Sequence, residues 1–200
     1  VSPSTSLANA IVLMSQTRGF TCSLNAQEHT FWSQESRSSC VLVVEGRTVV
    51  GILTERDVVR LTASGLNLDT MTLAEVMVCP VITLPERNFR EIFAALFLFR
   101  RYRIRHLVIV DDQNQLVGTV SHESIRQVLQ PSNLLKLRRV AEVMTPEAIH
   151  APRSAPVTAL AQQMAEHRVS CVVIVDGSLT LSEKTQAVLP VGIVTERDIV

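Results

Sequence analysis

The chain has 200 residues, and it has few of several residue types whose scarcity excludes classes of protein. Its four Cys include no Cys-x-x-Cys pair, so neither a structural zinc site nor an oxidising compartment is predicted. The apolar run near the middle, Ile92 to Phe99, spans eight residues, whereas a membrane-spanning helix needs about 20. No charge of one sign prevails, because 19 basic residues balance 19 acidic ones, and general nucleic-acid binding is therefore not predicted.

What is present indicates a folded, intracellular chain. Hydrophobic residues make up 46% and charged residues 19%, a balance that supports buried cores. The sequence starts at Val1 without a signal-type segment and stops after Val200, and we interpret it as a cytoplasmic fragment of a longer protein without membrane insertion.

Three copies of one unit follow each other along the chain. Ala74–Met77 recurs as Ala141–Met144, 67 residues later, and Gly51–Thr54 recurs as Gly118–Ser121 at the same separation. A third copy of the glycine motif, Gly192–Thr195, lies 74 residues further on. Because a period near 67 is too long for most solenoid repeats, these copies are predicted to be tandem small domains.

Each copy is predicted to fold as strand, helix, strand, strand, helix. A Pro ends the short first strand, at Pro3, Pro85 and Pro152. The first helices are predicted at Leu7 to Arg18, Phe89 to Arg100 and Val157 to His167, where apolar residues recur at helical spacing. The β-branched runs that follow are typical of strands covered on both faces, with turns predicted at Glu45-Gly46, Asp111 to Asn114 and Asp176-Gly177.

These landmarks divide the chain into a first copy at residues 1–67, a second at 68–131, a linker at 132–139 and a third at 140–200 whose closing helix is truncated. The first copy carries an insertion at residues 19–35, which includes Trp32. The third copy carries an insertion from Ser178 to Pro190, predicted to be a polar, mobile loop inside the hairpin.

Two candidate sites lie where a strand runs into a closing helix, at Thr54 with Asp57 and at Thr195 with Asp198. One interpretation is structural: each Thr caps the helix, and each Asp lies in its first turn, where it interacts favourably with the helix dipole. The other is functional, because a helix N-terminus at a strand's carboxyl end suits phosphate, and a carboxylate can accept two ribose hydroxyls.

The repeated motifs resemble CBS (cystathionine-β-synthase) domains: A-E-V-M precedes copies two and three, and every copy carries Pro, then an apolar strand, then G-h-h-[TS]-x-x-[DS]. The resemblance implies an α/β (α+β) fold of tandem β-α-β-β-α units, with copies one and two paired sheet to sheet into a Bateman module. Modules of this kind commonly bind adenosine nucleotides in the cleft between paired repeats and regulate an effector. They are usually not catalysts.

Carried over by position, Asp57 and Asp198 match the family's ribose-binding Asp, and Thr54 and Thr195 match its hydroxyl partner. In copy two these positions hold Ser121 and Ser124. Ser124 is neutral and does not accept hydrogen bonds from two ribose hydroxyls as a carboxylate does. The family's phosphate-contacting positions match Arg105 and His106 in copy two, which is therefore predicted to supply cations. The equivalent residues of copies one and three, Ser39-Cys40 and Ser170-Cys171, are uncharged. A surface role at a helix end is the alternative for the cluster around Arg105.

The sequence therefore predicts a ligand-sensing module that binds AMP, ADP or ATP, requires no cofactor, and controls a signalling effector elsewhere in a longer chain. Homodimerisation through the repeats is implied by the resemblance. The alternative is a structural dimerisation module with no nucleotide bound. Catalysis is not predicted, because no nucleophile–base pair, Gly-rich phosphate loop or metal-ligand spacing is present.

Overall fold

A computed structural model of the chain describes residues 1–16, 18–19, 36–37, 39–89, 92–129, 139–182 and 185–200. Most of the first insertion, with Trp32, and nearly all of the linker lie outside the described residues. The chain forms two compact units. Unit 1 contains Val1–Leu53 and Met71–Arg139, and unit 2 contains Thr54–Thr70 and Val140–Val200. The first copy is therefore divided, because its closing helix belongs to unit 2.

Copy one supplies unit 1 with a helix and a hairpin. Helix α1 (Leu7–Gln16) is followed by a short pair of strands, β1 (Arg18–Gly19) and β2 (Ser36–Arg37), and then by β3 (Cys40–Glu45) and β4 (Thr48–Thr54). Leu7, Ala10 and Met14 are buried, which follows from their helical spacing on one face of α1. Gly46, in the predicted turn, has a φ of +63°, a left-handed conformation that glycine adopts without a steric penalty.

Copy two contributes a complete set of elements to unit 1. They are α3 (Leu73–Val76), β5 (Thr83–Pro85), a 3₁₀ turn (Glu86–Asn88), α4 (Ile92–Tyr102), β6 (His106–Val110), β7 (Leu116–Ser121) and α5 (His122–Leu129). The sheet order is β5-β6-β7, with β5 parallel and β7 antiparallel to β6. One buried cluster joins both helices to this sheet through Leu84, Ala95, Phe99, Leu107, Ile109 and Ile125.

Copies one and two are joined inside unit 1 by backbone contacts. Thr48 forms an antiparallel bridge with Gln115, and the Leu116 N–H donates to the Arg47 carbonyl at 2.9 Å. Ile52 and Val78 exchange two hydrogen bonds, of 3.1 and 2.8 Å. The Ile52–Val78 contact places Met77 of the A-E-V-M motif against Gly51 of the glycine motif, so the two repeated motifs meet in the fold.

Unit 2 combines copy three with the closing helix of copy one, α2 (Glu55–Ala63). Copy three contributes β8 (His150–Pro152), α6 (Val157–His167), β9 (Cys171–Ser182), β10 (Thr185–Thr195) and α7 (Glu196–Ile199), with the sheet order β10-β9-β8. Two 3₁₀ turns, at Leu68–Thr70 and Val140–Glu142, complete the unit. Val59 of α2 is buried in the same cluster as Leu160, Ala161, Met164, Val172 and Ala151.

The predicted α/β class and tandem repeats are confirmed, and α6 has the predicted bounds. Pro85 and Pro152 end strands as predicted, whereas Pro3 lies in a turn and not in a strand. The prediction for the third hairpin is wrong. The chain does not turn at Asp176-Gly177: β9 continues to Ser182, and the segment predicted as a mobile loop pairs with it, for example Ala187 with Leu179.

Candidate functional site

Thr54 and Asp57 form a closed pair at the start of α2. The Thr54 N–H donates to Asp57 Oδ2 at 3.0 Å, and the Thr54 hydroxyl donates to the same oxygen at 2.6 Å. The Asp57 side chain is 14% exposed, and its Oδ1 lies 3.8 Å from Arg60 Nη1. The capping interpretation is therefore confirmed for Asp57 Oδ2, while Oδ1 faces the Arg60 guanidinium.

The same pair recurs in copy three, in a more open setting. The Thr195 N–H and hydroxyl donate to Asp198 Oδ2 at 2.8 and 2.7 Å. The Thr195 hydroxyl, followed by its N–H, lowers the pKa of the exposed Asp198 carboxyl below its usual value, since both hydrogen bonds favour the charged form. Asp198 is thus a carboxylate at neutral pH.

Copy two has hydroxyl groups in place of this carboxylate. Ser121 and Ser124 lie with their Oγ atoms 2.8 Å apart, and the Ser124 N–H donates to Ser121 Oγ at 3.0 Å. The Ser121 side chain caps α5 through the Ser124 N–H, but the serine pair presents no charge to a ligand. The two kinds of strand–helix junction are alike in local structure and differ in chemistry.

Arg105 and His106 lie beside this junction, because His106 pairs with Ser121 across β6 and β7. The Arg105 carbonyl accepts the His122 N–H at 3.0 Å, as the Ser170 carbonyl accepts the Glu196 N–H at 3.0 Å in copy three. Arg105 is the position that matches the family's phosphate contact. Its backbone is therefore held by the same kind of hydrogen bond as the equivalent backbone of Ser170 in copy three.

His106 differs from its predicted role as a cation. Its Nε2 lies 2.6 Å from Ser39 Oγ, a contact between copies one and two within unit 1. Burial, with a smaller contribution from the neighbouring Arg105 charge, lowers the pKa of His106 to about 4. The imidazole is consequently neutral at neutral pH, so the prediction of a second positive charge is wrong, and Arg105 is the cation of this pair.

The partly buried His106 should make stability depend on pH. Its folded pKa, about 4, is below its ordinary value of 6.5, so the unfolded chain binds more protons between these values and stability falls as pH falls through this window. We expect the free energy of unfolding to lose about 2–3 kcal/mol from this group between pH 7.5 and pH 4.5.

Urea unfolding of the parent chain and of His106→Gln at both pH values measures this contribution. The free energy of unfolding of His106→Gln should fall by about 2–3 kcal/mol less than that of the parent. His150→Gln, which replaces an exposed imidazole, should fall as much as the parent. Equal drops in the parent and His106→Gln would contradict a neutral imidazole at His106 in the folded chain.

The sequence profile of the CBS domain matches residues 1–64, 73–131 and 140–200. The chain belongs to the CBS domain family. Tandem CBS domains are typically regulatory and nucleotide-sensing, and CBS-domain proteins are in general not enzymes. The three matched segments coincide with the three copies read from the sequence.

Relatives and solved structures agree with the CBS assignment. The chain is 40% identical over 91 residues to the uncharacterised protein MK0525 of Methanopyrus kandleri, a match covering 45% of each chain. It is 31% identical over 109 residues, 54% of this chain and 19% of the relative, to L-aspartate semialdehyde sulfurtransferase of Methanocaldococcus jannaschii. The chain therefore spans less than half the length of these curated relatives. The structure of protein MJ1225 from M. jannaschii superposes with a TM-score of 0.67 at 21% identity, covering 98% of this chain and 65% of that one, and shows the same fold.

Two further findings concern the described part of the chain. None of its helices is both long and apolar enough to cross a bilayer. Within the same residues, no group of three or more His, Cys, Asp or Glu side chains is arranged to hold a metal ion.

The CBS fold also brings together four charged residues whose role sequence reasoning missed. In unit 2, Arg56 Nε lies 3.3 Å from Glu196 Oε1, and Arg197 Nε lies 3.3 Å from Glu55 Oε1. These are the second and third residues of the two identical Thr-Glu-Arg-Asp motifs, so the contact is reciprocal. The sequence did contain a signal for these ion pairs, namely the identical Thr-Glu-Arg-Asp motifs. Two copies can form such reciprocal pairs about a local twofold axis only if each carries both a Glu and an Arg.

Proposed function

We propose that this CBS chain is a cytoplasmic regulatory module that senses an adenosine nucleotide, AMP, ADP or ATP, and controls a signalling effector. Membership of the CBS family supports the regulatory role. The observation that carries the nucleotide assignment is the Thr54–Asp57 pair, in which the carboxylate is held in place through Oδ2 while Oδ1 lies 3.8 Å from Arg60 Nη1. Catalysis is not part of the proposal.

In this proposal Asp57 accepts the ribose hydroxyls, and Asp198 has the corresponding role in copy three, each positioned by its Thr. A ribose diol presents two O–H donors, and hydrogen bonds to an ionised acceptor are stronger than those between neutral groups. At the copy-two junction Ser121 and Ser124 offer only neutral contacts to a ribose. The nucleotide selectivity of the module would therefore depend on the two copies that carry a carboxylate.

Arg105 is proposed to contact the phosphates, with His106 as a neutral hydrogen-bonding group beside it. Arg105 is half-buried next to an imidazole that carries no charge at neutral pH, so it provides the positive charge at this position. The guanidinium has a planar set of donors that matches phosphate oxygens. This position lies where copies one and two meet within unit 1, since His106 contacts Ser39 of copy one there.

Thermal melting of the parent chain and of Arg105→Ala with ATP and with adenosine tests the phosphate assignment. Ligands that bind only the folded state raise the melting temperature. We expect Arg105→Ala to lose most of the ATP-dependent rise, consistent with about a tenfold loss of affinity for one charge-assisted contact, and to keep the rise caused by adenosine. Equal losses for both ligands would contradict a phosphate contact at Arg105.

Self-association is the second part of the proposal, and it also defines the alternative function. The serine pair of copy two and the exposed aromatic residues of α4 favour a module that assembles through its repeats. Light scattering in the presence and absence of nucleotide distinguishes the two functions. A dimer whose melting temperature no adenosine nucleotide changes would identify a structural module.

A further inference from the structure

Helix α4 carries a row of exposed aromatic and arginine residues on its solvent side in unit 1. The side that faces the sheet is buried at Ala95 and Phe99. The opposite side carries four exposed residues at the helical spacing i, i+4, i+7 and i+8, namely Phe93, Phe97, Arg100 and Arg101. Phe93 is 72% exposed and Phe97 is 66% exposed, so both rings protrude from the surface. We call these four residues the aromatic–arginine stripe.

The end of α4 extends the stripe with further groups of the same kinds. Tyr102 is 50% exposed, and Arg103, also exposed, follows the helix with a left-handed backbone at φ of 53°. Among the described residues, none of the exposed arginines at positions 100, 101 and 103 forms an ion pair. An exposed arginine elsewhere does, since Arg153 Nη1 lies 3.2 Å from Asp176 Oδ2. Attraction to the helix dipole accounts for cations at this end of α4, but not for the exposed rings beside them.

Helix α6 of copy three shows that the fold does not require the aromatic–arginine stripe. The two helices align through the buried pair Phe99 and Met164 and through the left-handed residue that follows each helix. At the four stripe positions α6 carries Thr158, Gln162, Ala165 and Glu166. On that side Gln162 Nε2 donates to the Ala63 carbonyl of α2 at 3.5 Å, a polar contact between helices of two copies. Neither the fold nor the helix packing of unit 2 therefore accounts for two Phe and two Arg at these positions.

The composition of the stripe matches the interface of a bilayer that contains anionic lipids. Aromatic rings enter the boundary between headgroups and acyl chains, guanidinium groups stay beside the lipid phosphates, and Tyr is favoured at the same depth. The stripe is convex, because it is the outward side of a helix, so a deformable lipid surface can bury it without a preformed groove. The chain as a whole has 19 basic and 19 acidic residues, but charges act over only about 10 Å at about 0.1 M salt. The cations at the end of α4 therefore determine the local attraction.

We propose that the aromatic–arginine stripe docks unit 1 on the surface of a membrane that contains anionic phospholipids. Helix α4 lies in the plane of the interface, with Phe93 and Phe97 inserted between headgroups and with the arginines on the lipid phosphates. Tyr102 and Arg103 extend the contact at the end of the helix. This inference goes beyond the proposed function. Nucleotide sensing does not depend on it, so calorimetry with AMP should give the same affinity for every variant below.

Flotation with unilamellar vesicles tests the docking of the parent chain. Vesicles of phosphatidylcholine with about one-third phosphatidylserine should carry the chain, and vesicles of pure phosphatidylcholine should carry much less of it. Raising the salt from about 0.1 M to about 1 M should release most of the bound chain, because the screening length falls from about 10 Å to about 3 Å. A parent that binds neither kind of vesicle, or both equally, would overturn membrane docking.

Arg100→Gln combined with Arg101→Gln tests the cations of the stripe. We expect about a 30-fold loss of affinity for the anionic vesicles, since each cation near the membrane surface contributes about a fivefold gain. Arg153→Gln combined with Arg168→Gln removes the same charge from two exposed arginines of unit 2 and should bind as the parent does. Equal losses in the two double variants would show that only the net charge matters and would overturn the role of the stripe.

Phe93→Ser combined with Phe97→Ser tests the aromatic rings. We expect at least about a tenfold loss of affinity for the same vesicles, because the apolar surface that enters the interface is removed. Val12→Ser combined with Leu66→Ser is the matched control, since these side chains are 46% and 52% exposed elsewhere in the chain, and it should bind as the parent does. Unchanged binding of the Phe variant would contradict insertion of the rings. Circular dichroism verifies that each variant is folded.

Sedimentation velocity without lipid tests whether a second copy of the chain covers the stripe instead. A parent whose sedimentation is the same as that of the Phe variant supports a stripe that is free to bind lipid. A parent dimer that the Phe variant converts to the monomer would assign the stripe to self-association and overturn membrane docking.

Discussion

Asp57→Ala is expected to reduce the affinity for AMP by about 100-fold, the loss of two charge-assisted hydrogen bonds from ribose hydroxyls. In the proposed site both donors of Thr54 engage Oδ2, which holds the carboxylate in one orientation and so reduces the side-chain entropy lost on binding. Asp57→Asn should also weaken binding, because its single amide oxygen cannot accept both the Thr54 donors and the ribose hydroxyls. Isothermal calorimetry measures the affinities directly.

Asp57→Ala also removes the cap of α2, so its effect on stability needs a matched control. Thr72 and Glu75 form the same local pair, with the Thr72 N–H and hydroxyl donating to Glu75 Oε2 at 2.7 and 2.8 Å. Glu75→Ala should therefore cost a similar amount of stability, about 1 kcal/mol, and leave nucleotide affinity unchanged. Equal affinities for the parent and Asp57→Ala would show that Asp57 acts only as a cap.

Gly51→Val is expected to be the most destabilising single change, reducing the free energy of unfolding by about 3 kcal/mol. A Cβ atom at Gly51 would lie 2.7 Å from Met77 Cγ and 3.0 Å from Met77 Cβ, and still nearer to its Sδ. Gly51 is buried, so a larger side chain has to displace Met77 and disturb the hydrogen bonds between Ile52 and Val78 that join copies one and two.

The third copy offers a control at the equivalent residue. A Cβ atom at Gly192 would have Ile174 Cβ at 3.8 Å as its nearest neighbour, an ordinary van der Waals distance. Gly192→Val should therefore change the free energy of unfolding by less than about 1 kcal/mol. Shortening the Met77 side chain should relieve the clash and restore part of the lost unfolding free energy. Gly51→Val combined with Met77→Ala should therefore be more stable than Gly51→Val alone. Equal urea midpoints for the two glycine variants would contradict this packing.

The repeats and their elements could be predicted from the sequence because the signals are local. Helical spacing of apolar residues predicts α6 from Val157 to His167, and the Thr-x-x-Asp pattern predicts the hydrogen bonds that the structure has at the start of α2. The alternation of Leu179 and Leu181 with polar residues was an available signal for the extended hairpin, but the polar composition of the segment led to its interpretation as a loop.

The choice of neighbour and the degree of burial could not be predicted from the sequence. Helical spacing shows that Val58 and Val59 lie on an apolar face of α2, but it does not show that α2 packs on copy three. Likewise, the sequence places His106 at the start of β6 but contains no measure of its burial, which decides whether the imidazole is charged.

Titration calorimetry of AMP, ADP and ATP into the unmodified chain at neutral pH tests the central claim most directly. Nucleotide sensing predicts saturable heat for at least one of the three ligands at millimolar concentration or below, and its disappearance for Asp57→Ala. The absence of saturable heat for all three ligands, with a folded chain confirmed by circular dichroism, would contradict it.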